Sequence, residues 1–285
     1  MGTCTGGAEH LELTFYGVRG SCPCPSQENL RYGGNTACVA LTADGEEPIV
    51  FDLGTGLRSF GDTQPLDGSF AGTALVTHIH WDHVQGLPFF PPADRPGARL
   101  RIYGPQPDEG TLKEQIDDFM RPPYFPVKVG DLRGEYSFHE VLKDDFQVGQ
   151  AQVKARPVPH VGVTLGYRVT WHDRVVTYIS DHQAPLDLES VAESVLELAD
   201  SADLLIHDAQ YTPAEFAEKS HWGHCTVGYA LRVAAEAGAR RLALFHHDPS
   251  HADEDLDRML AEAQGTVGPG GPEILAAYEG LRLTF

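Results

Sequence analysis

The run His78-Ile79-His80-Trp81-Asp82-His83 places four potential metal ligands within six residues. In an extended or tightly turned segment His78 and His80 point the same way, while Asp82 and His83 can turn toward a neighbouring point. Imidazole suits zinc, manganese and iron, and a carboxylate beside it suits a second, harder site. A loop of surface histidines accounts easily for one such residue, but poorly for a set packed at ligand spacing. The run begins where the strand-like Ala74-Leu75-Val76-Thr77 ends. The fold therefore has to bring strand ends to a common rim, on a scaffold rigid enough to hold ligands there.

The remaining pattern meets that demand. Leu11-Glu12-Leu13-Thr14-Phe15 alternates, Cys38-Val39-Ala40-Leu41 is apolar, and Pro48-Ile49-Val50-Phe51 runs straight into Asp52. Strand-like segments return at 152–158, 164–169, 174–179, 203–206, 241–245, 273–277 and 281–285. Helical spacing marks 108–120, 186–199, 226–237 and 253–263. Between the first helix and the later strands, Arg121-Pro122-Pro123-Tyr124-Phe125-Pro126 cannot be a helix interior. Strands dominate each half and helices follow in each, which predicts one α/β domain over 1–285, two packed sheets with helices outside. His78, His160, Asp181 and His246 all fall at strand ends.

An excess of carboxylates gives a formal net charge of −20. This works against gripping a long nucleic acid, whose affinity comes from Lys and Arg displacing counterions, and against an anionic membrane surface. A small phosphorylated substrate stays compatible, because bound divalent metals reverse the potential locally. No apolar run reaches transmembrane length, and Met1 to His10 has no basic start and no apolar core, so no signal peptide is expected. The five cysteines Cys4, Cys22, Cys24, Cys38 and Cys225 are odd in number and poorly spaced for a zinc clip. Reduced thiols in a cytoplasmic protein are the expectation.

The histidine run resembles the H-x-H-x-D-H signature of the metallo-β-lactamase superfamily, and other motifs follow in the superfamily's order. Asp52 in Phe51-Asp52-Leu53-Gly54-Thr55-Gly56 resembles the aspartate that ends an early strand and supports the metal loop. His160 in Pro159-His160-Val161-Gly162, Asp181 in Tyr178-Ile179-Ser180-Asp181 and His246 after Leu244-Phe245 resemble the third histidine, the bridging aspartate and the last ligand. The resemblance covers roughly residues 11 to 250. It implies an αββα sandwich of two mixed β-sheets flanked by helices. It also implies two divalent metal ions, zinc or manganese with iron compatible. His78, His80 and His160 would hold one, Asp82, His83 and His246 the other, with Asp181 bridging. Such a pair can share a hydroxide and polarise a phosphoryl or carbonyl oxygen.

Within the superfamily, Asp181 stands where common dinuclear β-lactamases carry a cysteine, and a flavodiiron oxidase would need a glutamate near position 80. Tyr16-Gly17-Val18-Arg19-Gly20-Ser21, Arg31-Tyr32-Gly33-Gly34-Asn35-Thr36, Leu205-Ile206-His207-Asp208-Ala209 and His221-Trp222-Gly223-His224-Cys225-Thr226 resemble a phosphodiesterase branch. That branch includes transfer-RNA 3′-end ribonucleases and phosphoribosyl cyclic phosphodiesterases. The resemblance implies that His224, held by Asp208, donates a proton to the leaving group. The bland alternative is that His224 caps the helix near Thr226. The basic, glycine-rich arm of the ribonucleases is absent. The expected substrate is thus a small phosphodiester, such as a cyclic nucleotide or a cyclic sugar phosphate. A thioesterase or lactonase is the alternative enzyme, and a non-catalytic metal sensor the alternative of another class.

Several residues keep two readings. Pro122-Pro123-Tyr124-Phe125-Pro126-Val127 is a lid offering aromatic surface, or a turn packed into the core or a homodimer interface. Trp81 lines the pocket or packs beneath it, with packing preferred, and Arg19 or Arg31 is a phosphate contact or an ion pair. Asn35 organises a turn. His182, His207, His221, His247 and His251 read mostly as structural. Strand alternation lets only one of His246 and His247 face the metals, and the family pattern selects His246.

Overall fold

Alternation along the strands sends one face of each into a shared core, as in Leu165-Gly166-Tyr167-Arg168-Val169-Thr170-Trp171, where Leu165, Tyr167, Val169 and Trp171 are buried. A computed structural model describes residues 10–285. Residues 1–9, with Cys4 and most of the stretch read as lacking a signal peptide, lie outside the described residues.

In chain order the strands are β1 (Leu11–Gly17), β2 (Cys38–Ala43), β3 (Ile49–Phe51), β4 (Ala71–Leu75), β5 (Arg99–Pro105), β6 (Glu135–Val141) and β7 (Asp145–Val148). They continue as β8 (Ala151–Pro157), β9 (Leu165–Trp171), β10 (Arg174–Ile179), β11 (Leu204–Asp208), β12 (Arg241–Phe245), β13 (Glu273–Ala276) and β14 (Arg282–Thr284). The helices are α1 (Leu57–Gly61), α2 (Trp81–Val84), α3 (Leu112–Phe119), α4 (Glu193–Ala199), α5 (Pro213–Lys219), α6 (Val227–Glu236) and α7 (Asp253–Thr266).

One sheet has the order β14-β1-β2-β3-β4-β5-β6 and the other β13-β12-β11-β10-β9-β8-β7. Both are mixed. Pairing is antiparallel from β14 to β3 and parallel from β3 to β6. In the second sheet it is antiparallel from β7 to β10 and parallel from β10 to β13. Leu13, Phe15, Phe51, Val153, Tyr167, Tyr178 and Phe245 fill the space between the sheets. A second cluster, including Leu198, Tyr229, Val233 and Leu256, packs α4, α6 and α7 on the outer face of the second sheet. A third, including Leu57, Phe60, Leu112 and Ile116, packs α1 and α3 on the first. This is the αββα sandwich of two mixed sheets expected from the sequence.

Helix starts follow local chemistry. Thr111 with Glu114 and Thr212 with Glu215 form capping boxes, the latter with Pro213 in the first turn. Thr226 caps α6 itself, accepting from the Tyr229 amide. The expected helix over 186–199 forms only at Glu193–Ala199, where Val195 and Leu198 find the core. The preceding residues turn instead, with Leu188 at φ 55°. Strands β5, β6 and β7 were absent from the sequence reading. Arg99 and Arg101 pair with Glu47 along β5, and β6 and β7 are largely half-buried or exposed, so their apolar signal is weak. The strand expected at 74–77 is centred earlier, at Ala71–Leu75, which leaves Val76 and Thr77 to lead into His78.

Among the described residues no helix is long and apolar enough to cross a membrane. The described cysteines Cys22, Cys24, Cys38 and Cys225 are all unpaired.

Candidate metal centre and active site

Strands from both sheets end at one rim. Asp52 follows β3, His78 follows β4, Asp181 follows β10, Asp208 ends β11 and His246 follows β12. Asp52 and His246 leave their strands with φ of 56° and 58°, a left-handed backbone that a non-glycine residue adopts at some cost. At this rim the structure brings together all seven donors expected from the sequence. The ligand atoms of His78, His80 and His160 lie within 4.8 Å of one another, as do those of Asp82, His83 and His246. Asp181 sits between the two trios. Its Oδ1 lies 3.9 Å from His78 and 3.8 Å from His160, and its Oδ2 lies 3.2 Å from His83 and 3.6 Å from His246.

Four of the five donor rings, all but His80, are oriented by a bond to the other nitrogen. His83 Nδ1 donates to Asp52 Oδ2 (2.7 Å), His160 Nδ1 to the Gly223 carbonyl (2.6 Å) and His246 Nδ1 to Gln210 Oε1 (2.8 Å). The Thr77 hydroxyl donates to Asp52, so it accepts from His78 Nδ1 (3.0 Å). With both Nδ1 atoms committed, His83 Nε2 and His246 Nε2 face each other 3.2 Å apart. Asp181 Oδ2 is buried with no hydrogen-bond partner. Burial pushes His78, His80 and His160 below the ordinary histidine range, which keeps them neutral and able to donate lone pairs. Burial opposes charge on His83 too, yet Asp82, Asp181 and Asp52 more than offset it, so the pocket favours positive charge there. Converging ring nitrogens, a buried carboxylate oxygen with no hydrogen-bond partner and a nitrogen-and-oxygen donor set fit divalent metal ions.

Beside the donors, His224 Nδ1 bonds Asp208 Oδ2 at 2.9 Å and lies 3.8 Å from Asp181 Oδ1. Its ring stacks on His246 at 5.0 Å. Burial works against the charged ring, but Asp208, Asp181 and Asp82 together raise its ionisation above the usual range. The capping alternative fails, because Thr226 performs that task. Asp208 is itself held from behind by the His182 and Gln210 amides, at 3.1 and 3.0 Å.

Other supports were not read from the sequence. The Ser21 amide donates to Asp82 Oδ2 at 2.7 Å. Gly223, at φ 97°, lets His160 close on its carbonyl, and a Cβ there would stand 2.4 Å from the ring. Gly20 likewise clears the His246 ring, again with only 2.4 Å for a Cβ. Tyr178 donates to Asp52 Oδ2 at 2.9 Å. Glycine-rich context hints at Gly20 and Gly223, but Gln210 and Ser21 act through space, and no local pattern marks them.

The structure resolves the residues with two readings. Arg19 is fully buried and donates to the carbonyls of Gly33, Asp248 and His251, so it is a strut and not a phosphate contact. Arg31 pairs with Asp257 at the surface. Asn35 is bound to Glu279. His247 turns away from the donors and bonds the Ala277 carbonyl at 2.9 Å. His182 and His207 bond each other at 3.0 Å, and His251 bonds Glu215. His221 contacts the Trp222 ring. Trp81, read as packing, is 75% exposed and lines a cleft of about 500 Å³ with His80, Asp181, Trp222 and His224. Tyr124 and Phe125 wall a neighbouring cavity; Tyr124 is exposed, whereas Phe125 is half-buried and also packs against the core cluster under α1 and α3.

Residues 49–247 match the family model described as a beta-lactamase superfamily domain. Ribonuclease Z of Natronomonas pharaonis is 26% identical over 306 residues, an alignment covering 87% of this chain and 92% of the relative. The metallo-beta-lactamase fold protein YhfI from Bacillus subtilis aligns with a TM-score of 0.73 at 19% identity, over 97% of this chain and 100% of that one. A diphosphatase from the PhnP family aligns with a TM-score of 0.69 at 19% identity, over 97% of each chain.

Proposed function

This chain belongs to the metallo-β-lactamase superfamily and is a metal-dependent hydrolase, and we propose that its reaction is hydrolysis of a small phosphodiester, such as a cyclic nucleotide or a cyclic sugar phosphate. Metals held by His78, His80 and His160 and by Asp82, His83 and His246, with Asp181 between them, would polarise a phosphoryl oxygen and activate water at neutral pH. Zinc and manganese, and iron as well, suit these donors.

The observation that supports a phosphodiester is the His224–Asp208 pair beside Asp181. An alkoxide leaves phosphorus poorly unless it gains a proton as the P–O bond breaks. With Nδ1 committed to Asp208, the other ring nitrogen of His224 is the one free to give that proton. A thiolate is a far better leaving group, with thiol pKa values near 8.5, so a thioesterase has little use for such a donor. A non-catalytic sensor has none.

Long RNA is the substrate class that the name of the ribonuclease Z relative brings in. A net charge of −20 argues against it here. The test is one panel on protein loaded with manganese or zinc: bis-p-nitrophenyl phosphate, 2′,3′- and 3′,5′-cyclic nucleotides, a structured RNA and an acyl-glutathione. Turnover of small phosphodiesters ahead of RNA is expected. Turnover of the thioester alone would sink the phosphodiester reading, and metal binding without any turnover would favour the sensor.

A further inference from the structure

Beside the cleft at the donor cluster lies a second cavity of about 600 Å³, walled by Trp81, Phe89, Phe119, Tyr124 and Phe125. Ile79 and Trp81, both inside the His78–His83 run, line the cleft and the cavity alike, so the cavity lies directly beside the donor cluster. The wall is unusually apolar for water-facing surface. Trp81, Phe89 and Tyr124 are 75%, 56% and 75% exposed, and the Trp81 indole has neither a hydrogen bond nor a ring partner. Phe89 and Phe125 meet edge to face at 5.8 Å, which holds two of the rings upright. Exposed aromatics gathered in one concavity mark a ligand site more often than free surface. The amides of Gln85 and Gln115 stand among them, able both to donate and to accept.

Charge narrows the occupant. Among the described residues no Lys or Arg lines the cleft, this cavity, or the adjoining one shared through His80 and Gln115. The lining acids outside the donor set are Asp108, Glu109 and Asp118. Arg121 lies near, but it is bound to Asp118 and sits over Tyr124. Lys219, near Trp222, pairs with Asp248. Metals could meet one phosphoryl group, and nothing here would meet a second.

We infer that the Trp81–Phe89–Tyr124 cavity is a nucleobase subsite, so that the substrate is a nucleoside phosphodiester with a single negative charge, its base stacked on these rings and its polar edge on Gln85 and Gln115. This rests on the phosphodiester reading and narrows it. Sugar phosphates without a base and substrates with an extra phosphate fall outside the class.

The experiment compares glycerol 1,2-cyclic phosphate, adenosine 2′,3′-cyclic phosphate and its 5′-phosphorylated form, which share one reacting ring. In metal-loaded wild type, the unphosphorylated nucleoside is expected to lead both others by about tenfold or more in kcat/KM, the scale of one stacked base. Phe89→Ala and Tyr124→Ala should raise KM for it about tenfold, with kcat and glycerol cyclic phosphate turnover unchanged. Equal use of the three substrates, or an unmoved KM in both variants, overturns the subsite while leaving the phosphodiester reading intact. Calorimetric titration with adenosine separates the two ideas when turnover fails. Binding that weakens in Phe89→Ala, with no phosphodiester hydrolysed, supports the subsite and sinks the parent reading. No adenosine binding in wild type overturns the subsite.

Discussion

His224 Nδ1 and Asp208 Oδ2 share a 2.9 Å hydrogen bond within a buried wall, and the same His224 ring stacks on His246. One side chain thereby joins the proton-handling pair to the donor cluster. His224→Ala should lower kcat about 10²- to 10⁴-fold on a cyclic nucleotide, the usual contribution of a general acid. On bis-p-nitrophenyl phosphate the loss should be much smaller, because that phenolate leaves without a proton. Equal losses on both substrates would assign His224 to structure instead.

Asp208→Asn tests the electrostatics of the same pair. The carboxylate raises the ionisation of His224 against the effect of burial, so an acid role persists to higher pH than an ordinary histidine allows. Removing that charge lowers the His224 pKa. The alkaline limb of kcat/KM should therefore move to lower pH in Asp208→Asn, and an unmoved limb would mean that another group sets it.

His246 and His247 are neighbours in sequence with opposite surroundings. His246 Nε2 is 3.1 Å from Asp82 Oδ2, whereas His247 is bound to a carbonyl, and burial, first of all, takes its pKa down to about 3. His246→Ala should lose roughly half of the bound metal by atomic absorption. His247→Ala should keep its metal and lose thermal stability, and metal loss confined to His247→Ala would reverse the choice.

Gly223 offers a test that touches no donor. A methyl there would collide with the His160 ring, whose Nδ1 depends on the Gly223 carbonyl. Loss of such an outer support costs about 10- to 100-fold in metal affinity. Gly223→Ala should show that weakening in a chelator competition with little change in circular dichroism. Unchanged affinity would mean that His160 is held by other contacts.

The donor cluster was legible because His78 to His83 lie on one short segment, and His160, Asp181 and His246 each stand just past a strand with a buried face. Most strands with one buried face were legible, but β5 was missed although Leu100 and Ile102 are buried, because Arg99 and Arg101 interrupt its apolar residues. Where a strand is half exposed, as in β6 and β7, the alternation fades and so did the reading. Arg19 shows a different limit. A guanidinium buried on three carbonyls and one poised for phosphate look alike in one dimension, since only tertiary packing supplies Gly33, Asp248 and His251 as acceptors. Tyr124 and Phe125 likewise share a cavity with Trp81 and Phe89 only through the tertiary fold, which brings the segments after α3 and around α2 to one concavity.

Away from the site, Glu197 on α4 accepts from Lys154 Nζ (2.8 Å) and from Arg156 Nε and Nη2 (2.9 and 2.8 Å) on β8, tying helix to sheet. Those bonds, led by Arg156, lower its pKa from 4.5 to about 2. The folded state thus holds its proton less tightly than the unfolded chain does. The stabilisation is present above pH 4.5 and disappears as the pH falls toward about 2. Because the carboxylate is more than a third exposed, solvent limits the effect to about 1 kcal/mol or less at neutral pH. Glu197→Gln should be slightly less stable than wild type at pH 7 in urea titrations, and the two proteins should converge between pH 4.5 and about 2. A difference that stays constant across that window would show that packing of α4, and not the charge on Glu197, was lost.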